Sequence, residues 1–118
     1  MPKLNPRIAA VQMATGPNVS ANLLEAERLV KEAAEHGAGL VVLPENFAFM
    51  GKRDQDVLTL RELDGDGPLQ TYLAKLATRH RVWIVGGTIP LHSRQPGRVR
   101  AACLVFNEKG ERVARYDK

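Results

Sequence analysis

A chain of 118 residues is long enough for one domain with a real core and too short for two. Its 44% hydrophobic and 25% charged residues are those of an ordinary globular protein, and no apolar run approaches the length of a membrane span. A formal charge of +4 admits an anionic partner, but an aromatic content of 5% leaves few stacking platforms, so neither nucleic acid nor membrane is an expected partner. Met1 to Pro6 lack the apolar core of a signal peptide. The single cysteine, Cys103, offers neither an internal disulfide nor metal-ligand spacing. A cytoplasmic protein without metal or cofactor is the expectation.

Arg7 to Met13 reads as a first strand, small and apolar. Val19, Leu23, Ala26, Val30 and Ala33 then recur at helical steps and form one stripe. Asn18 or Ser20 can cap this helix, and Gly37 fits its left-handed stop after His36. Leu40 to Leu43 is an unbroken apolar run before Pro44, the pattern of a strand buried on both faces. Pro44 cannot donate to a ladder, so the strand stops there and delivers Glu45 to its carboxyl end, where open α/β sheets place ligands. Strand, helix and strand make a βαβ unit with parallel neighbours.

Asn46, Phe47, Ala48, Phe49 and Met50 follow in a loop, and form either a pocket wall or a plug over the sheet. Asn46 and Phe47 are the pocket candidates. Pro68 opens a second helix, with Leu69, Leu73, Leu76 and His80 as its buried stripe and His80 as a helix-end histidine rather than a ligand. Val82 to Val85 is a third strand, and Gly86-Gly87-Thr88 reads as a tight turn or a close backbone approach. The basic run His92 to Arg100 is a solvated loop or a device for steering an anion. Ala101 to Phe106 and Arg112 to Tyr116 flank Asn107-Glu108-Lys109-Gly110 as a hairpin. Cys103 lies inside the first of these strands as a small buried residue, not a nucleophile.

Four stretches together resemble the nitrilase, or carbon–nitrogen hydrolase, superfamily. They are Ile8 to Met13, Leu40 to Glu45, Ile84 to Gly87, and Gly110 to the ending Arg115-Tyr116-Asp117-Lys118. The resemblance covers essentially the whole chain and is nearest the Nit-type ω-amidases. It implies an α/β fold, the N-terminal part of a four-layer αββα sandwich, with residues 1–118 a portion of one hydrolase domain ending before the nucleophile region. It also implies a homo-oligomer and a Glu–Lys–Cys triad, in which Glu45 matches the glutamate (general base) and Lys118 the lysine (oxyanion stabilisation). The family's cysteine lies downstream of the lysine, so Cys103 does not match it, and alanine near position 101 replaces the usual asparagine.

These residue types suit the chemistry. A free thiol is mostly protonated at neutral pH, so a carboxylate must take its proton, and an ammonium must hold the oxyanion formed at a poorly electrophilic amide carbon. Two further expectations concern placement: partial burial of Glu45 behind Leu43 and Pro44, and a strand carrying Lys118 beside the strand carrying Glu45. The implied substrate is a small amide, carboxylate-bearing in keeping with the positive charge. The 118-residue chain alone is expected to be inactive. The alternative is a truncated, non-catalytic remnant that binds a partner.

Overall fold

The computed structural model describes residues 6–118; the segment of the chain start in which no signal peptide is expected lies, through residue 5, outside the described residues. The elements are β1 (Arg7–Ala10), α1 (Val19–Glu35), β2 (Ala38–Val42), a 3-10 helix (Asp54–Leu60), α2 (Pro68–His80), β3 (Trp83–His92), β4 (Val99–Phe106) and β5 (Arg112–Asp117). One sheet holds all five strands in the order β1-β2-β3-β4-β5. β1, β2 and β3 pair in parallel, β4 is antiparallel to β3, and β5 antiparallel to β4. Four strands therefore point the same way and β4 alone runs back. Among the described residues, no helix is long and apolar enough to cross a membrane.

Local chemistry starts and stops the helices. The Asn18 side chain accepts the Ala21 amide of α1 at 3.0 Å, and Gly37 follows the helix with φ +88°. Ala26 and Val30 of the apolar stripe are fully buried. Asn22, on the same side, is buried as well, which requires partners. Its amide donates to the carbonyls of Gly16 and Ala48, both at 2.8 Å, and its oxygen accepts the Gly16 amide at 3.1 Å. One buried side chain thus ties α1 to the loops that follow β1 and β2.

At the start of α2 the cap comes from outside the helix. The buried Glu62 carboxylate accepts the backbone amides of Leu69 (2.6 Å) and Gln70 (3.2 Å) and the Gln70 side chain (3.0 Å). Its backbone pairs with Pro90 and His92 on the far part of β3. Helix and strand are joined through one residue. At the other end, Arg79 and His80 reach Glu27 of α1, at 2.5 Å and 3.2 Å, so His80 clasps the two helices together.

Both helices lie on one face of the sheet. Val41, Ile84, Ala102, Leu104 and Phe106 point into the core beneath them, alternating with Leu40, Val42, Val85, Cys103 and Val105 on the opposite face. Among the described residues, that second face has no helix layer, and Ile8 and Tyr116 on it are each 71% exposed. It is one α layer on one β layer, half of the expected sandwich.

Two readings are corrected. The first strand stops at Ala10 rather than Met13, although the Val11 amide still bonds to Val42. No turn forms at Gly86-Gly87-Thr88: β3 runs through it to His92, with its pairing to β4 shifted between Gly86 and Ile89. The glycines answer crowding by the protein itself. A Cβ on Gly86 would lie 2.6 Å from the Leu73 side chain, and one on Gly87 2.9 Å from the Cys103 sulfur.

Glu62→Ala strips two buried amides of their acceptor and is expected to cost about 2–4 kcal/mol, read as a lower urea midpoint; an unchanged midpoint would show that α2 starts without this cap. The Arg79 hydrogen bond, aided by His80, holds the Glu27 carboxyl below its ordinary value against the opposing effect of burial. The unfolded chain then binds more protons than the folded one in acid. The clasp's stabilisation is present above the ordinary carboxylate value and lost as pH falls through the depressed one. Glu27→Gln is expected to flatten the fall in melting temperature between pH 5 and 3, measured by circular dichroism.

Candidate active site

β2 and β5 run in the same direction, so both deliver the residues after them to the same edge of the sheet. Glu45 lies just beyond β2 and Lys118 just beyond β5, where the Lys118 amide still bonds to Ala101 at 2.9 Å. The side chains meet there: Lys118 Nζ lies 2.5 Å from Glu45 Oε1. The strands themselves are not neighbours, contrary to the sequence expectation, because β3 and β4 intervene. Three interstrand steps separate them by roughly 14 Å at ~4.8 Å per step. Two long side chains bridge that span over small residues. Gly87, Thr88, Ala101 and Cys103 leave a groove of about 280 Å³ that both Glu45 and Lys118 border.

The expected burial of Glu45 is not found. Its side chain is 53% exposed and that of Lys118 66%. An ion pair this exposed contributes at most about 1 kcal/mol to stability, so folding does not require it. What the geometry does provide is an acid–base group and a cation held at one point.

The backbone around Glu45 is closely specified. The Leu43 amide bonds to Val85 at 2.9 Å and keeps the chain in the sheet up to Pro44. Asn46 then turns into the left-handed region at φ +56°, which asparagine tolerates better than most residues. Its amide donates to the Thr88 hydroxyl at 3.3 Å, and that hydroxyl donates to Asn46 Oδ1 at 3.2 Å. Beyond it the loop divides. Phe47 and Ala48 are buried; Phe47 stacks on Tyr72 with ring centroids 6.4 Å apart, and Tyr72 donates to the Leu23 carbonyl at 2.7 Å. Phe47 is therefore a plug in the core and does not line the groove. Asn46, Phe49 and Met50, with Thr88, Val99 and Ala101, line a cavity of about 320 Å³ beside the groove.

Cys103 borders the groove too. Burial pushes its thiol up, away from the thiolate form. Thr88 and Asn22 are site-building residues that sequence reasoning missed. Asn22 left a signal, a polar residue lying between Val19 and Ala26 in the apolar stripe of α1. Thr88 left none, since the continuation of β3 was hidden by its glycines.

The fold and the site define a class: an α/β half-layer that offers a carboxylate and an ammonium at the carboxyl ends of its strands. The carbon-nitrogen hydrolase family model matches residues 7–118, and the chain belongs to that family. Among curated relatives, it is 36% identical to the deaminated glutathione amidase of Yersinia enterocolitica over 97% of this chain and 40% of that protein. It is 31% identical to the chloroplastic omega-amidase of Arabidopsis thaliana over 94% of this chain and 30% of that one. Among solved structures, Nit3 of Saccharomyces cerevisiae, a nitrilase-superfamily member, superposes with a TM-score of 0.81 at 26% identity, covering 94% of this chain and 43% of its own. An amidase from Nesterenkonia sp. gives 0.79 at 25% identity, covering 96% and 42%. The chain thus spans less than half the length of these relatives.

Thr88→Val leaves the Asn46 amide and side-chain oxygen without their partner and is expected to cost about 1–2 kcal/mol in urea unfolding. Thr88→Ser keeps the hydroxyl and is expected to recover most of that loss. Equal stability of the Val and Ser variants would show that the bond does not hold the loop.

Proposed function

We propose that residues 1–118 are the N-terminal portion of a single carbon–nitrogen hydrolase domain. Glu45 is its general base and Lys118 its oxyanion-stabilising cation, and the nucleophilic cysteine lies in sequence beyond Lys118. The reaction is hydrolysis of a non-peptide amide C–N bond in a small carboxylate-bearing substrate. The observation that carries this reading is the 2.5 Å contact of Lys118 Nζ with Glu45 Oε1 where β2 and β5 end together. Membership of the family and amidase-named relatives support it.

In the proposed reaction, Glu45 takes the thiol proton and the thiolate attacks the amide carbon. The Lys118 ammonium stabilises the resulting oxyanion. As the tetrahedral intermediate collapses, the C–N bond breaks and the protonated Glu45 gives its proton to the departing amine, leaving a thioester. Glu45 then takes a proton from water, the hydroxide attacks the thioester, and the thiol leaves with that proton. Carboxylic acid and amine are the products, and no outside oxidant or reductant is needed.

The uncovered sheet face fits the same reading. Its apolar residues beside an exposed catalytic pair suit a second layer that would cover both, exclude water and strengthen the charges in the groove. The complete protein is, on this reading, a cytoplasmic homo-oligomer.

The test uses the protein as its source makes it, assayed for ammonia release from glutaramate. Glu45→Gln is expected to lower kcat by at least about a hundredfold. Lys118→Met is expected to lower it by about 10²–10³, the loss typical of removing one oxyanion donor. Full activity of Glu45→Gln would overturn the assignment.

A further inference from the structure

The basic loop between β3 and β4 has no part in the proposed bond cleavage, yet its charge is neither scattered nor neutralised. Two adjoining cavities follow it. The first, about 180 Å³, is bordered by Lys118, Arg100 and Arg98. The second, about 300 Å³, is bordered by Arg98, Arg94, His92 and Arg61. They share Ser93, Gln95 and Arg98, and no acidic side chain lines either. Lys118 also borders the groove that Glu45 lines, so one side chain adjoins both the basic cavities and the reacting pair.

Most arginines elsewhere have partners, Arg81 after α2 being the exception among the described residues. Arg28, Arg53, Arg79, Arg112 and Arg115 pair with carboxylates, and Arg7 donates to the His36 carbonyl. Among the described residues, the side chains of Arg61, Arg94, Arg98 and Arg100 make no hydrogen bond or ion pair. Arg100 is felt by Asp117 only as a more distant charge. Like charges left together without counter-ions repel one another, and they raise the local concentration of a complementary anion.

We infer that this arginine channel is the recognition site for the non-reacting end of the substrate, and that this end carries at least two carboxylates. The inference rests on the proposed reaction for the position of the amide but not for the binding of the anion. A guanidinium presents a planar fork matched to a carboxylate, and free forks at Arg98 and Arg100, then at Arg94 and Arg61, offer successive positions. Cavities of this size admit a small molecule. The amide carbonyl lies in the groove that Glu45 and Lys118 border, the carboxylates of the substrate along the channel. Such a substrate gains affinity from groups remote from the bond that breaks, binding energy that positions the carbonyl.

Calorimetric titration of the protein as its source makes it tests this, with propane-1,2,3-tricarboxylate as probe and butyrate and inorganic phosphate as comparisons. The tricarboxylate is expected to bind more tightly than either. The Arg94→Gln/Arg98→Gln double variant is expected to bind it at least tenfold more weakly, and Glu45→Gln no more weakly than the unaltered protein. Both arginines are exposed, and circular dichroism checks that the variant folds. Absence of tricarboxylate binding, undiminished binding by the double variant, or equal affinity for phosphate would each overturn the inference. If tricarboxylate binds as expected and amides are not hydrolysed, the proposed reaction fails while the anion site stands.

Discussion

Glu45 and Lys118 are 73 residues apart in sequence, and their contact depends on strand direction. Because β2, β3 and β5 all run towards one edge of the sheet, the residues that follow β2 and β5 arrive at the same edge. Reversing β5 would send Lys118 to the opposite edge. The antiparallel return of β4, closed by the Asn107–Gly110 turn with Gly110 at φ +80°, is what gives β5 its direction. Small residues across β3 and β4 then let the two side chains meet over the sheet.

The rest of the layer holds that edge in place. Asn22 anchors the loop after β2 from α1, and Phe47 plugs it into the core against Tyr72. Asn46 and Thr88 fasten the turn that carries Glu45 to β3. Glu62 in turn joins the far part of β3 to the start of α2. Most of these contacts are polar and join residues distant in sequence, whereas the Glu45–Lys118 pair is itself exposed and gains little from them in stability. Rigidity of position, rather than strength of the ion pair, is what the fold contributes to the site.

Much of this was legible in the sequence because its signals are local. The apolar stripe of α1, the glycine after it and Pro44 after the strand define a βαβ unit that the structure reproduces. Glu45 and Lys118 stood out through resemblance, as two residues in recognisable motifs. What could not be read was set by distant partners. The hairpin that pairs β5 with β4 was legible at Asn107–Gly110, but nothing near Lys118 says that β3 and β4 lie between it and the strand of Glu45. The glycines of β3 mimic a turn because the side chains that require them, Leu73 and Cys103, come from other elements.

The central claim is that Glu45 and Lys118 serve a thiol contributed from elsewhere than Cys103. Rapid-quench peptide mass mapping of the protein as its source makes it, after mixing with glutaramate, tests this most directly. The account predicts a transient acyl adduct on a cysteine beyond Lys118, with Cys103 unmodified. An adduct on Cys103, or ammonia release with no acylated cysteine at any quench time, would contradict it.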